Sequence, residues 1–346
     1  MICFNCDYTE GAHPAIIDLL TKTNFEQTVG YGEDEYCEKA REFIKKECGR
    51  DDVYVQFLVG GTQANLTVIS SALRPHQGAM AAKTGHINVH ESGAIEATGH
   101  KVIALDCGPD GKLSAESVEN CVNAHWNDET HEHQVQPKLV YISDSTENGA
   151  VYTRAELKAL SDVCKKYGLY LYLDGARLGY AFMSPKNDVT LADLCEFCDA
   201  FYIGGTKVGA MMGEAVVITN PALKEDFRYL IKQKGGMFAK GRLLGIQFYA
   251  LFENGLYWQV SKHAIDEAFK IANALKGAGV RFLAEPESNQ IFPILKDSVI
   301  AKINEKYLTA FWSKEGEDES AIRICTSWAT RSENSDKLIE DILALL

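Results

Sequence analysis

The chain has 346 residues, 46% of them hydrophobic and 24% charged, an ordinary globular balance with length enough for two domains. Its net charge of −13 argues against a surface for nucleic acid or an anionic membrane, both of which require a basic patch. No run of about 18 apolar residues is present, and Met1 to Asp7 lacks the regions of a secretion signal. The expectation is a cytoplasmic protein with no membrane or nucleic-acid partner, whose ten cysteines are reduced thiols.

Apolar residues at helical spacing predict helices over 14–22 and 33–48, separated by the glycine-punctuated loop Gln27 to Asp34. Tyr54 to Val59 predicts a strand that runs into Gly60-Gly61-Thr62-Gln63-Ala64-Asn65 and a helix from Leu66 to Leu73. Such glycines allow close backbone approach, and the free amides of a new helix favour a phosphate. The alternative is a tight turn with Thr62 as N-cap. His86 and His90 are four apart and fall on one face if helical, either as a pair of half-exposed histidines or as partial metal ligands lacking a third.

Strands at Lys101 to Asp106, Lys138 to Ser143, Leu169 to Asp174 and Ala200 to Ile203 alternate with helices near 114–125, 153–167 and 190–197. That rhythm predicts an α/β fold with a mostly parallel, doubly wound sheet. Trp126 to Pro137 is a polar loop from which His131 or His133 could dip into a cleft. Cys3, Cys6, Cys195 and Cys198 form two Cys-x-x-Cys pairs, but pairs so far apart favour core thiols over zinc, so no metal is expected. Glu214 to Thr219 predicts a strand returning antiparallel from the lysine loop. After Pro221 come a helix over 221–233, long helices to about Lys276, and short strands at 280–284, 290–295, 307–312 and 321–326 with helices at 297–305 and 333–346. This predicts a smaller α+β domain.

Two strand ends carry chemistry. Leu169 to Leu173 leads into Asp174-Gly175-Ala176-Arg177, and Ala200 to Ile203 leads into Gly204-Gly205-Thr206-Lys207. Open α/β sheets bind ligands at this carboxyl edge. A lysine and an aspartate there suit pyridoxal 5′-phosphate, the lysine for its aldehyde and the aspartate for its ring nitrogen.

The ordered set Tyr31-Gly32-Glu33-Asp34, Gly61-Thr62-x-Ala64-Asn65, His86-Ile87, Asp174-Gly175-Ala176-Arg177, Lys207 and Ile322-Arg323-Ile324-Cys325-Thr326 resembles the low-specificity threonine aldolases. These belong with the β-eliminating lyases among pyridoxal-phosphate enzymes of the aspartate-aminotransferase-like fold, and the resemblance spans essentially the whole chain. It implies an N-terminal arm (1–24), a cofactor-binding large domain (25–245) with a mostly parallel sheet between helices, and a small domain (246–346). It implies that Lys207 is the Schiff-base lysine, that Asp174 partners the pyridinium nitrogen and that His86 stacks on the ring. Gly60, Gly61 and Thr62 would hold the phosphate, with Thr206 and Arg177 also at the cofactor. Arg177 and Arg323 would bind the substrate carboxylate. His86, His133 or a water is the implied base. The site would lie at a subunit interface, with Tyr31 and either Lys240 or Arg242 from the neighbour, which implies a dimer at least and a tetramer in the fuller assembly.

Four positions depart from the family pattern: Asn5-Cys6-Asp7 for Arg-Ser-Asp, His90 for an aromatic residue, Thr206 for serine, and Phe238 for the neighbour's arginine. Asn5, Cys6 and His90 therefore stand as substrate contacts of altered type. The implied reaction is retro-aldol cleavage of a β-hydroxy-α-amino acid such as L-threonine or L-allo-threonine. The alternatives are β-elimination or transamination of an aromatic or sulfur amino acid, and, more remotely, a catalytically silent scaffold.

Overall fold

Capping chemistry marks the helix ends in the computed structural model, which describes residues 1–346. After the short strand β1 (Ile2–Cys3), α1 (Pro14–Lys22) opens on a proline, where a missing N–H costs nothing. Asp34 caps α2 (Glu35–Cys48) by accepting the amides of Tyr36 and Cys37, and Gly49 ends it at φ 65°. Next come β2 (Tyr54–Leu58), α3 (Gly61–Ala72), β3 (Gln77–Ala82), the one-turn helices α4 (His86–Val89) and α5 (Ala94–Ala97), and β4 (Lys101–Leu105). The alternation continues through α6 (Ala115–Trp126), β5 (Gln136–Ser143), α7 (Arg154–Tyr167), β6 (Tyr170–Asp174), α8 (Leu178–Met183), α9 (Leu191–Phe197), β7 (Ala200–Gly204) and β8 (Glu214–Ile218). Capping boxes open α7 (Thr153 with Glu156) and α9 (Thr190 with Asp193).

The large sheet has the order β2-β8-β7-β6-β5-β3-β4. Every pair from β7 across to β4 is parallel, and β8 runs antiparallel to both β7 and β2. Parallel strands put β5, β6 and β7 chain ends on one edge. Strand alternation then sorts the faces. Leu171, Leu173, Phe201 and Ile203 join the apolar layer that includes α2 and α9 residues, while Tyr141, Tyr172 and Tyr202 join the layer formed with α3. Asp174 shares the parity of Tyr172, so it ends β6 on the α3 side.

The structure departs from the sequence reading at several joints. The helix after the Gly60-Gly61 turn starts at Gly61, not Leu66, with Gly60 as its N-cap and no side-chain cap, so Thr62 is inside the first turn. The helix expected over 221–233 is broken into a turn at Pro221–Leu223 and α10 (Phe227–Gln233), because Asp226 takes φ 56° between them. Two long helices follow, α11 (Arg242–Phe252) and α12 (Leu256–Gly277).

In the C-terminal part, β9 (Arg281–Phe282), β10 (Gln290–Ile291), β11 (Pro293–Lys296) and α13 (Asp297–Ile303) precede β12 (Tyr307–Leu308), β13 (Ala310–Lys314), β14 (Glu319–Cys325) and α14 (Ser332–Leu343). The expected strand 290–295 is split at Phe292 into β10 and β11, both antiparallel to β14. The expected strand 307–312 is also split: β12 pairs with β1, and β13 pairs with β14. Phe4 fills a third apolar cluster with Leu275, Ile291, Ile322 and Ile324, so the N-terminal segment is anchored on this part.

No helix is long and apolar enough to cross a membrane. Cys195 and Cys198 sit in the core beneath α9, and no group of three His, Cys, Asp or Glu side chains could hold a metal ion.

Candidate active site

The strand ends converge on a cavity of about 320 Å³. The start of α3 supplies Gly60, Gly61 and Thr62; α4 supplies His86; β6 supplies Asp174 with Arg177 just beyond; the loop after β7 supplies Thr206 and Lys207. Tyr202, Ser143, Ser145, Glu147 and Glu214 complete much of its wall.

Asp174 is 4% exposed and accepts four hydrogen bonds. Oδ1 accepts from the Tyr202 hydroxyl at 2.5 Å and the Ala176 amide at 3.0 Å. Oδ2 accepts from the Tyr141 hydroxyl at 2.6 Å and the Asn65 amide group at 3.0 Å. Burial pushes this carboxyl up, but His86 and these donors outweigh it and hold it below the ordinary carboxylate value. Asp174 is thus a fixed anion at the carboxyl edge, suited to keep a ring nitrogen protonated.

His86 is tied to the same anion. Its Nδ1 meets Glu91 Oε1 at 2.6 Å, and that oxygen also accepts from Asn65 at 2.7 Å. Burial pushes the imidazole down, yet Glu91 and Asp174 carry it above its ordinary value. The rings of His86 and His90 lie 5.5 Å apart on one face of α4, as their spacing predicts. His90, the C-cap of α4, is not among the residues lining the cavity, and burial, His86 and then Arg323 lower its value.

Lys207 is half-buried, with its carbonyl held by the Tyr180 hydroxyl at 2.5 Å. Burial, reinforced by the Arg177 guanidinium, lowers its ammonium below the ordinary lysine value. A lysine so placed gives up its proton readily and can attack an aldehyde. The Thr206 hydroxyl beside it donates to Glu214 Oε1 at 2.8 Å.

Arg177 is gripped by Asp7 through Nε at 2.7 Å and Nη2 at 3.0 Å. Asp7 is fully buried and Arg177 is partly so, two of the fork's nitrogens are already engaged, and no residue of the chain bonds Nη1. Arg323 leaves β14 on the face opposite Ile322 and Ile324 and hangs on the Asn5 carbonyl, at 3.2 Å from Nε and 2.6 Å from Nη2. Asn5 therefore presents its backbone to Arg323, and Cys6 is buried away from the cavity wall.

Arg323, His90, Asn5 and Cys6 are not among the residues that line this cavity, and four further expected residues lie elsewhere in this chain. His133 lines a groove with Lys101, Asp106 and His125 beside β4, because the 126–137 loop packs on the sheet's outer edge strand rather than its carboxyl edge. Tyr31, at φ 61°, has its ring under the Lys232 ammonium at 5.1 Å. Arg242 bonds the Thr23 carbonyl at 2.7 Å, and Lys240 is exposed. None of these three lines the Lys207 cavity of its own chain.

Sequence reasoning missed Asp7, Asn65, Glu91, Tyr141, Glu147, Tyr202 and Glu214. Strand parity could have found two of them: Tyr141 and Tyr202 occupy the positions on neighbouring strands that face the same side as Asp174.

The residues fit pyridoxal phosphate. An uncapped helix of 12 residues points its first amides into the cavity, and these have no intrahelical acceptor. Gly60 has nothing within 4 Å of a notional Cβ, whereas at Gly61 a Cβ would meet the Tyr202 hydroxyl at 2.8 Å. The turn thus has room for an anion on one side and a tight wall on the other. The same cavity offers an amine for the aldehyde and an ionised carboxylate for the ring.

Residues 5–298 match the beta-eliminating lyase family. Low specificity L-threonine aldolase of a Pseudomonas species is 29% identical over 99% of this chain and 97% of its own. The solved structure of Leishmania major threonine aldolase superposes with a TM-score of 0.96 at 45% identity, covering 100% of this chain and 99% of that one. Thermus thermophilus aspartate aminotransferase, at 14% identity and a TM-score of 0.72, shares the fold. The chain belongs to the beta-eliminating lyase family and is a pyridoxal-phosphate-dependent lyase, with Lys207 and Asp174 meeting in a cavity at the sheet's carboxyl edge.

Proposed function

We propose that the protein cleaves the Cα–Cβ bond of L-threonine and L-allo-threonine to glycine and acetaldehyde. The observation that carries this reading is its full-length relation to the Leishmania major threonine aldolase, at 45% identity. Pyridoxal phosphate supplies an electron sink for the carbanion that the cleavage leaves at Cα.

The chain's residues do the rest. Lys207, whose ammonium is lowered by burial, would hold the cofactor through its amine. Asp174, held ionised by its four donors, keeps the ring nitrogen protonated. The amides of Gly61 and Thr62, with Gly60 open beside them, would take the phosphate, and Thr206 braces the Lys207 loop through Glu214. His86, fixed by Glu91, would hold the ring by stacking. Arg323 and the free Nη1 of Arg177 would hold the substrate carboxylate, with Asn5 and His90 as further substrate contacts. That grip would fix the orientation of the amino acid and so which of its Cα bonds breaks.

The working unit in this reading is a homo-oligomer, at least a dimer, in the cytoplasm. Its arm (1–24), large domain (25–245) and small domain (246–346) surround a site completed by the partner's Tyr31 and its Lys240 or Arg242. Support comes from the exposed apolar face near these residues, where Phe25 is 95%, Val29 67% and Tyr229 77% exposed. The test is product analysis. The holoprotein should release glycine and acetaldehyde in equal amounts, and Lys207→Ala should abolish both. Ammonia with 2-oxobutyrate instead would establish β-elimination and end the aldolase reading.

A further inference from the structure

The cavity wall holds more carboxyl groups than the cofactor requires. Asp174 has both oxygens filled. Glu214 is filled too, by the Gly205 amide at 3.0 Å on Oε2 and the Thr206 hydroxyl at 2.8 Å on Oε1. Glu147 differs. Its Oε1 accepts both the His86 amide at 2.9 Å and the Ser143 hydroxyl at 2.7 Å. No other residue bonds its Oε2, which is not among the sealed atoms that lack a partner, and the half-buried residue lines the cavity. The carboxyl is therefore pinned by one oxygen and presents the other.

Neighbouring groups are engaged on the atoms nearest the ring's anchors, although His86 keeps Nε2 unbonded. His86 gives Nδ1 to Glu91, the Tyr202 hydroxyl donates to Asp174, and Arg177 is held by Asp7. The segment carrying Glu147 is rigid: the Thr146 hydroxyl donates to the Asp110 carbonyl at 2.6 Å, and Asp144 accepts the Tyr152 amide at 3.3 Å.

We propose that Glu147 is the base of the cleavage step, taking the proton of the substrate's β-hydroxyl on Oε2. The inference rests on the aldolase reading above. The hydroxyl O–H and the Cα–Cβ bond break, the aldehyde C=O forms, and the electron pair of the broken carbon–carbon bond stays with the glycyl Cα. Glu147 then gives that proton to water, and the glycyl Cα takes one from water, so no net proton is consumed. Burial pushes the Glu147 carboxyl above its ordinary value and nearby Asp174 adds to this, while Ser143 and His86 oppose it. A base raised in this direction is better matched to neutral pH. The charged and titratable groups facing it are His86 from α4, Tyr141 and Asp174 from the sheet, Arg177 beyond β6, and Tyr152 just before α7.

Glu147→Gln tests this, because its carbonyl oxygen can still accept from His86 and Ser143. The visible band of the bound cofactor should persist, and deuterium exchange at glycine Cα should stay within about threefold of the parent. Cleavage of threonine should fall about 10²–10⁴-fold, and the acid limb of its kcat profile should vanish. Infrared pH-difference spectra of the cofactor-free protein should lose one carboxylic C=O signal. Cleavage within about threefold of the parent overturns the proposal. So does an equal fall in exchange and cleavage, which would make Glu147 only a support for His86. If the glutamine variant fails to fold, Glu147→Asp, which withdraws Oε2 by one methylene, should show a reduced kcat and a moved acid limb. A native kcat in that variant also overturns the role. A native holoenzyme that frees no aldehyde from any β-hydroxy amino acid fails earlier, and refutes the aldolase reading itself.

Discussion

Replacing Arg323 with alanine separates substrate binding from cofactor binding. A guanidinium has five N–H donors. Nε and Nη2 give one each to the Asn5 carbonyl, and Nη1 reaches Gln290 Oε1 at 3.3 Å, so two N–H groups remain for a carboxylate. The guanidinium also lies 5.7 Å from the Trp312 ring centroid, which fixes its plane. A charge-assisted pair of this kind contributes about 1.5–3 kcal/mol, or roughly tenfold to 150-fold. Arg323→Ala should keep the visible cofactor band while kcat/KM for threonine falls by that factor. The loss should shrink for threonine amide, which has no carboxylate to clamp. Arg323→Lys should recover little, since an ammonium cannot hold the Asn5 carbonyl and a carboxylate in one plane. Near-normal kcat/KM in Arg323→Ala with cofactor bound would refute the reasoning.

Asp7→Asn removes the anion beside buried Arg177 and should destabilise the fold by about 3–5 kcal/mol in urea unfolding, the cost of leaving one buried charge unpaired. Although burial pushes it up, Arg177 and Lys207 hold Asp7 below its ordinary value, so its contribution is present above the unfolded carboxylate value and fades as pH falls through the lower folded one. Asp7→Asn should therefore flatten the acid side of the stability curve, and an unchanged acid limb would contradict the pairing. Gly175→Ala would put a Cβ 1.9 Å from the Tyr202 carbonyl oxygen and should cost about 3 kcal/mol or more, whereas Gly11→Ala, with nothing within 4 Å, should be neutral in thermal melts. Inactive Lys207→Ala chains mixed with inactive Arg242→Ala chains should regain activity if each site borrows from its neighbour, and a mixture that stays inactive would argue for self-contained sites.

The layered fold was legible because its signals are local. The strand ends at Asp174 and Gly204 are apolar runs stopped by glycine, and Glu214 to Ile218 returns antiparallel as the short loop after Lys207 requires. Less legible were features set by tertiary contact. Nothing in the sequence near Pro221 shows that Asp226 takes φ 56° and divides the helix there. His133 was drawn toward the site by its chemistry, yet its loop packs beside β4. The four-donor cradle of Asp174 depends on Tyr141, Tyr202 and Asn65, which come from two other strands and a helix. Asp7 and Arg177 lie 170 positions apart, and no local pattern pairs them.

The central claim is that Lys207 carries the cofactor at this sheet edge. Reduction of the holoprotein with borohydride, followed by proteolysis and mass spectrometry, tests it directly. Pyridoxyl should appear on the peptide containing Lys207 and on no other. Label on a different lysine, or none on a protein that retains its visible band, would contradict it.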